Sequence, residues 1–472
     1  MSRAVVIGAG VGGLAAAIRL AEAGHDVEVH ERASAPGGKL GRYERDGFRF
    51  DTGPSLLTLP QVFTDLGLTL PLQPLDPVVR HVFADGAVLD SSSSHETFLD
   101  RISAVLGPEA ADDWHRFWRR AERIWRASWR SVLRRPVTPA TLAALSWRLT
   151  DLAAIAPGRT LRHLGYRYLR DPHLRMLLDR YATYAGADPR HAPAALAAIP
   201  YAELAFGGWY LPGGLTTLAD AMVARCEALG ARLVLNSEVT AVEPTGVRAD
   251  DTFVPADVIV SDVDALTLYR DLLPTPGRLP ALTDRSLAGF VLLLAIRGET
   301  RELAHHNVFF PAYYDAEFDA IFGSPARRAR PADDPTIFVT RANDPTVHPP
   351  GAEAWFVLVN APRHGTSRQA TDWRRPGLAD SYADHILDLL AHRGLDVRDR
   401  VLFRETRTPA DLAAATATPG GAIYGTTGAL LRPANRGPLD NLFLVGGSVH
   451  PGGGLPMVAL SAQIAVTQIG PA

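Results

Sequence analysis

Sulfur chemistry is almost missing from this chain. Its 472 residues include one cysteine, Cys226. No disulfide can form within the chain, and no cysteine cluster exists to hold zinc or an iron–sulfur centre. Such scarcity fits a reducing compartment. Long apolar runs are missing too. The longest after the start, residues 287–296, is too short to span a bilayer. The N-terminal segment lacks the unbroken apolar stretch of a secretory signal, because glycines interrupt it. The expected location is cytoplasmic. No charge excess stands out: the formal net charge is −3, so no global field favours nucleic acid. Hydrophobic residues reach 47% and charged ones 21%, which points to a globular chain. At this length two or three packed units are expected. There is no internal repeat.

Glycine is what the sequence has at telling places. Residues 3–7 (RAVVI) read as a buried strand. Gly8, Gly10 and Gly13 follow in G-x-G-x-x-G spacing, with Gly12 between them. Residues 14–23 read as a helix stopped by Gly24, and residues 26–30 as a second strand ending in Glu31. Gly8 permits the tight turn, Gly10 lets backbone approach a pyrophosphate, and Gly13 lets the helix pack on the strand. The helix N-terminus offers free N–H groups and the positive end of its dipole to phosphate. Glu31 stands 18 residues past Gly13, where a ribose-binding acid belongs. The unit predicts a dinucleotide site without choosing between NAD and FAD.

Two further segments make that choice. After Glu31 comes Arg32-Ala33-Ser34-Ala35-Pro36-Gly37-Gly38-Lys39-Leu40, whose glycine pair lets backbone reach the same pyrophosphate from the other side. Phe50-Asp51-Thr52-Gly53-Pro54-Ser55 is another turn-rich stretch. Near the other end, residues 442–445 read as a strand. Gly446-Gly447-Ser448-Val449-His450-Pro451-Gly452-Gly453-Gly454-Leu455-Pro456 follows, then an apolar helix over residues 457–468. Pro456 suits a first helical turn.

These segments resemble the flavoprotein family that includes amine oxidases and carotenoid desaturases. Closer still, the chain is similar nearly end to end to carotenoid desaturases of the bacterial phytoene desaturase type. The motifs that carry this are FRFDTGPSLLTLP, RYATYAGADP, LPGGLTTLADAM, LAHHNVFFPAYY, WFVLVNAPRHG and LFLVGGSVHPGGGLPMVALS. PYAELAFGGWYLPGG and GGAIYG with LRPAN look most like the hydroxy- or methoxy-carotenoid 3,4-desaturase branch. The resemblance implies FAD. It places cofactor contacts on Gly8, Gly10, Gly12, Gly13, Glu31, Arg32, Gly38, Lys39, Leu40, Pro54, Ser55 and a backbone group of Val239. At the C-terminal end it adds Gly446, Gly447, Gly454, Leu455, Pro456 and Met457. It implies no metal. The implied reaction takes two hydrogens from a C–C single bond of an apolar polyene, one as hydride to flavin N5. Oxygen or a membrane quinone then reoxidises the flavin.

The expected fold is α/β: a discontinuous Rossmann-like FAD-binding domain, a mixed-sheet substrate domain and a helical, membrane-contacting insertion. Residues 1–70, 210–268 and 430–472 are assigned to the first. The second takes 71–90, 200–209 and 269–429, and the insertion takes 91–199. Residues 216–229 read as a helix, and 232–236 and 257–261 as strands of the cofactor unit. Residues 290–297, 307–310, 336–340 and 355–360 read as strands of the substrate sheet.

Residues 114–135 combine Trp114, Trp118, Trp125 and Trp129 at helical period with eight arginines and one acid, Glu122. Tryptophan suits a membrane–water boundary and arginine suits anionic headgroups. With a water-insoluble substrate, this helix is expected to make peripheral contact on the inner face of the cell membrane. The bland alternative is a core-facing helix with a solvated arginine face. No nucleic-acid module surrounds it.

No catalytic side chain is assigned. His305 and His306 are weak candidates for the proton acceptor, with ordinary polar strand-end residues as the preferred account. Glu203, Arg297 and Tyr184 are weaker still. Four rival functions stay open: an amine-oxidase-type enzyme, a redox-neutral polyene isomerase, a flavin-free prenyl-binding escort, and an enzyme recruited to a non-carotenoid product.

Overall fold

The computed structural model describes residues 2–274, 282–426 and 432–472. The expected boundary at 429/430 lies outside the described residues.

A five-stranded parallel sheet is assembled from distant parts of the chain. Its order is Leu442–Leu444, Val258–Ser261, Arg3–Ile7, Asp26–Glu31 and Arg232–Leu235. The strands are rich in Val, Ile and Leu because both faces are covered. Alternation sorts the faces. Ala4 and Val6 pack with the helices Val11–Glu22, Thr216–Ala228 and Leu455–Ile469. Val5 and Ile7 pack instead with Val242, Val247 and Val254 of an antiparallel three-stranded sheet. The first helix starts at Val11, inside the glycine loop, and packs against both other helices. The C-terminal helix starts at Leu455 and carries Pro456 in its first turn.

A seven-stranded mixed sheet forms the second body of structure. Its order is Val401–Arg407, Ala288–Arg297, Ala352–Ala361, Ile337–Arg341, His306–Phe309, Arg80–Val82 and Val88–Asp90. Only the His306–Phe309 and Arg80–Val82 pair is parallel. One face packs Phe290, Leu292 and Leu294 against Ile386 and Leu390 of the helix Leu378–His392. The other packs Val291, Leu293 and Ala295 against Phe48 and Phe50 of a small hairpin.

Residues 95–206 are mainly helical, as expected. The longest helix, Pro108–Ser128, continues as a π-helix over Trp129–Leu133. Its aromatic stripe faces inward, against the expectation that tryptophans would meet a membrane. Trp114 and Phe117 are fully buried, and Trp125 is 7% exposed. Trp118 stacks on His95, and Trp129 on Trp125. The physical reason is packing: Phe98 and Tyr201 on neighbouring helices supply ring surfaces for the stripe. The arginine face remains solvated. Exposed apolar side chains occur instead at Trp147, 86% exposed, and Leu149, 70% exposed. Among the described residues no helix is long and apolar enough to cross a membrane.

Candidate flavin site

The first strand delivers Gly8 with φ +96°. Its N–H donates to the His30 carbonyl at 2.8 Å. A Cβ on Gly13 would lie 2.0 Å from the Gly8 carbonyl oxygen, so only glycine lets the helix approach the strand this closely. A Cβ on Gly10 would meet an Asp262 carboxylate oxygen at 2.3 Å, one on Gly12 at 2.4 Å and one on Gly446 at 2.3 Å. These three glycines wrap the Asp262 carboxylate. Burial pushes this acid up to about 7, while the Gly13 N–H and Lys39 favour its charged form. No side chain caps the helix. The Asp262 carboxylate lies at the N-terminus of this helix, where the dipole end and the Gly13 N–H favour an anion.

The second glycine pair closes on the first. Gly37 donates its N–H to the Ala9 carbonyl at 2.9 Å, and a Cβ on Gly38 would lie 3.3 Å from the Gly10 Cα. Glu31 accepts the Ala9 N–H through Oε2 and the Ala33 N–H through Oε1, both at 2.8 Å. Its carboxylate thus steadies the loop and keeps further lone pairs for a ribose hydroxyl. Ser237 donates its backbone N–H to the Glu31 carbonyl at 2.9 Å, which brings Val239 to the same end of the cleft. Arg32 reaches the Ala414 carbonyl at 2.5 Å. The Leu40 side chain is 2% exposed and belongs to the core, so only its backbone can meet a ligand.

Lys39 donates through Nζ to the Ile423 carbonyl at 2.8 Å and to that of Ala422 at 3.2 Å. Burial pulls its pKa down to about 8, against the pull of Asp264 and Asp262 and with the help of Arg285 and Arg432. Arg285 and Asp264 form a buried ion pair of 2.5 Å. Arg432 donates to the Tyr424 carbonyl and, at 3.2 Å, to that of Gly447. Burial lowers Arg432 to about 10. Tyr424 packs so closely on Gly453 that a Cβ there would be 2.3 Å from its ring. Gly454, with φ +99°, precedes the helix that begins Leu455-Pro456-Met457. Lys39, Asp262, Tyr424 and Arg432 keep accessible surface although they lie deep in the protein, which traces a cleft between the glycine segments.

The weak proton-acceptor candidates scatter. His306 faces two carbonyl oxygens, Ser55 at 3.1 Å and Val78 at 3.3 Å, and burial lowers its pKa to about 4. A neutral ring donates to one of these and has no free nitrogen for a reaction. Ser55 also accepts from Thr340 through its hydroxyl at 3.1 Å, so the Pro54-Ser55 turn is pinned to the second sheet. His305 packs at a tilt against the Tyr210 ring, and burial holds it well below its usual pKa. Arg297 binds the Asp399 carbonyl at an exposed strand end. Tyr184 and Glu203 come together in the interior.

Sequence reasoning missed Asp262, Asp264, Arg285 and Tyr424. The signal for Asp262 was present: an acid directly after a parallel strand, Val258–Ser261, on the carboxyl side where such sheets bind ligands. It also missed Asp51, which accepts the N–H of Leu215 at 2.7 Å and of Thr216 at 3.1 Å and so caps the second helix.

Comparison with known proteins points to a flavin as well. Residues 11–291 match the family described as flavin containing amine oxidoreductase. A 4,4'-diapolycopene oxygenase from Methylomonas sp is 32% identical over 98% of this chain and 97% of its own length. A 4,4'-diaponeurosporene oxygenase from Staphylococcus haemolyticus is 31% identical over 97% of this chain and 95% of its own. A 1-hydroxycarotenoid 3,4-desaturase from Flavobacterium sp. is 28% identical over 98% of each. Among solved structures, an oxidoreductase from Methanosarcina mazei has a TM-score of 0.64 at 19% identity, covering 98% of this chain and 99% of its own; it speaks for the fold alone. This chain belongs to the flavin containing amine oxidoreductase family, as an FAD-dependent oxidoreductase of the bacterial carotenoid desaturase type.

Proposed function

We propose that the protein desaturates a long apolar polyene, removing two hydrogens from a C–C single bond. The observation that carries this reading is end-to-end similarity to carotenoid oxygenases and a carotenoid 3,4-desaturase, joined to a glycine-walled anion cleft in this chain. FAD, when bound, supplies the hydride acceptor. The chain's own groups do the rest. Gly10, Gly12, Gly13 and Gly38 admit the pyrophosphate, with Glu31 on the ribose and Val239 toward the adenine. Gly446, Gly447 and the helix N-terminus at Gly454, Leu455, Pro456 and Met457 place a positive dipole end where a reduced flavin gathers negative charge. Lys39, Arg285 and Arg432 face Asp262 and Asp264 and add fixed charge beside it. Electrons leave to oxygen or a quinone. Residues 1–70, 210–268 and 430–472 serve as the flavin unit in this account.

A second reading has its own support. The two relatives at 31% and 32% identity are named oxygenases, which favours oxidation of the polyene terminus. The first test is anaerobic mixing of FAD-loaded protein with polyenes and with amines. Loss of the oxidised-flavin absorbance with polyenes only is expected; loss with amines only overturns both readings.

Membrane docking is proposed at a revised place. Trp147 and Leu149 project beside Arg130 and Arg148, at the solvated end of the 114–135 stretch. His450 binds the carbonyls of Val132 at 3.1 Å and Arg135 at 3.0 Å, which ties this end to the flavin loop. A polyene leaving an anionic bilayer would enter there.

A further inference from the structure

The segment Ala422-Ile423-Tyr424-Gly425 is laid across the flavin cleft and tied down along its length. Ile423 donates its N–H to the Leu287 carbonyl at 3.1 Å, and Tyr424 donates its own to the Ser286 hydroxyl at 3.0 Å. The Gly425 carbonyl accepts from the Ser286 N–H at 2.8 Å. The carbonyls of Ala422 and Ile423 accept from Lys39, beside the second glycine pair, and that of Tyr424 accepts from Arg432. A Cβ on Gly425 would stand 2.7 Å from the Ser448 Cα, so this backbone lies directly on the C-terminal glycine loop.

The ring of Tyr424 is held as firmly. A Cβ on Gly453 would be 2.3 Å from its Cδ1, and one on Gly186 would be 3.1 Å from its Cδ2. Two glycines, one from the flavin loop and one from the helical insertion, leave room for the two edges of one aromatic ring. The hydroxyl is treated differently. Among the described residues it has no hydrogen-bond partner, and it is not sealed away from the cleft. Burial pushes the phenol up to about 12, with Arg180 and Arg432 opposing the shift, so it stays protonated and acts as a donor. An interior donor is costly unless a ligand or water supplies an acceptor. A hydrocarbon chain has none to offer. The rim of a flavin does, in its carbonyl oxygens and ring nitrogens.

We propose that Tyr424 donates its hydroxyl hydrogen to an acceptor on the rim of the bound flavin and thereby favours the reduced cofactor. Reduction gathers negative charge at that rim, and a hydrogen bond to a charged acceptor is stronger than one to a neutral acceptor. The inference rests on FAD binding and not on the choice between desaturation and oxygenation. Its test therefore needs no polyene.

FAD-loaded wild-type protein and Tyr424→Phe are reduced stepwise with dithionite in the absence of oxygen, beside a reference dye that reports the flavin potential. The Phe variant keeps the ring between Gly186 and Gly453 and loses only the oxygen. Its reduced flavin is expected to lose about tenfold in stabilisation relative to the oxidised form, which lowers the potential by about 30 mV for a two-electron couple. The visible absorption maxima should move as well. Flavin content and melting temperature show that the variant is loaded and folded. Tyr424→Leu removes ring and hydroxyl together and should lower the potential at least as far. Unchanged potential and spectrum in the folded, loaded Phe variant overturn the proposal, and so does a raised potential. If the Leu variant alone shifts, the ring serves only as a wall and the hydrogen bond is overturned. Wild-type protein that takes up no FAD overturns the flavin site itself and this bond with it.

Discussion

Lys39 donates its ammonium to the carbonyl of Ile423 at 2.8 Å, joining segments 384 positions apart. It is also the chain's only lysine. Burial lowers its pKa to about 8. An anionic pyrophosphate favours the protonated form and raises that value in the complex. FAD affinity is therefore expected to be highest below pH 8 and to fall above it, by up to about tenfold per pH unit, until the raised pKa is reached. The sign is opposite for stability without FAD. Between about 8 and its ordinary 10.5 the unfolded chain holds a proton that the folded one has released, so stability rises with pH there. Equilibrium titration of FAD at several pH values checks the first statement. A ¹³C-labelled lysine gives one side-chain resonance and reads the pKa directly. Lys39→Met should flatten the affinity profile.

Two glycines in one loop should fail differently. A Cβ on Gly13 would stand 2.0 Å from a backbone oxygen that cannot move away. Gly13→Ala is expected to destabilise the fold by about 1–3 kcal/mol, the scale of overpacking. A Cβ on Gly10 meets only the Asp262 carboxylate, at the end of a side chain that can rotate. Gly10→Ala should keep most of the melting temperature and lose FAD affinity about tenfold or more. Melting curves and flavin titration on both variants separate the effects.

Acid should expose two buried histidines. Burial lowers His81 to about 3 and His306 to about 4, both from an ordinary 6.5. Each is neutral in the fold, so below pH 6.5 the unfolded chain takes up protons that the folded chain refuses. Stability is expected to drop as pH falls from 6.5 toward 4. Chemical denaturation across that window measures it. His306→Leu should reduce the slope and also lower stability at neutral pH by about 1–3 kcal/mol, because one of the Ser55 and Val78 carbonyls loses its donor. The same variant, once folded and FAD-loaded, should still reduce flavin; complete loss of reduction would return His306 to a catalytic role.

The docking patch predicts its own pattern. Trp147→Ala should weaken binding to vesicles of anionic lipid by about tenfold or more, since burying a large apolar side chain contributes about 1.5–3 kcal/mol. Trp114→Phe should leave vesicle binding unchanged, because Trp114 is fully buried. Co-sedimentation with vesicles decides between the two; equal losses would favour the original face.

Local signals explain why some of this was legible and some was not. The first glycine loop, its two strands and the C-terminal helix could be read from spacing alone, because each requires specific residue types over a short span. Most of the parallel strands could be recognised by short Val/Ile/Leu-rich runs, while Asp26–Glu31 alternates polar and apolar residues. The direction of the Trp114–Trp129 stripe could not, since a helical period marks one apolar face and says nothing of what covers it. Phe98 and Tyr201 cover it here, from elsewhere in the chain. His306, only a weak candidate from the sequence, faces the carbonyl oxygens of Val78 and Ser55 with its two nitrogens, partners distant in the chain that no local pattern marks. Asp51 capping a helix that begins at Thr216 is a partnership across about 165 positions that no local pattern marks.

The mass of the product tests the central claim most directly. FAD-loaded protein is incubated with a hydroxylated polyene under air, and the product is weighed by mass spectrometry. The account predicts a product lighter by two hydrogens for each double bond formed, with no oxygen gained. A product of unchanged mass, or one carrying an added oxygen, would contradict it.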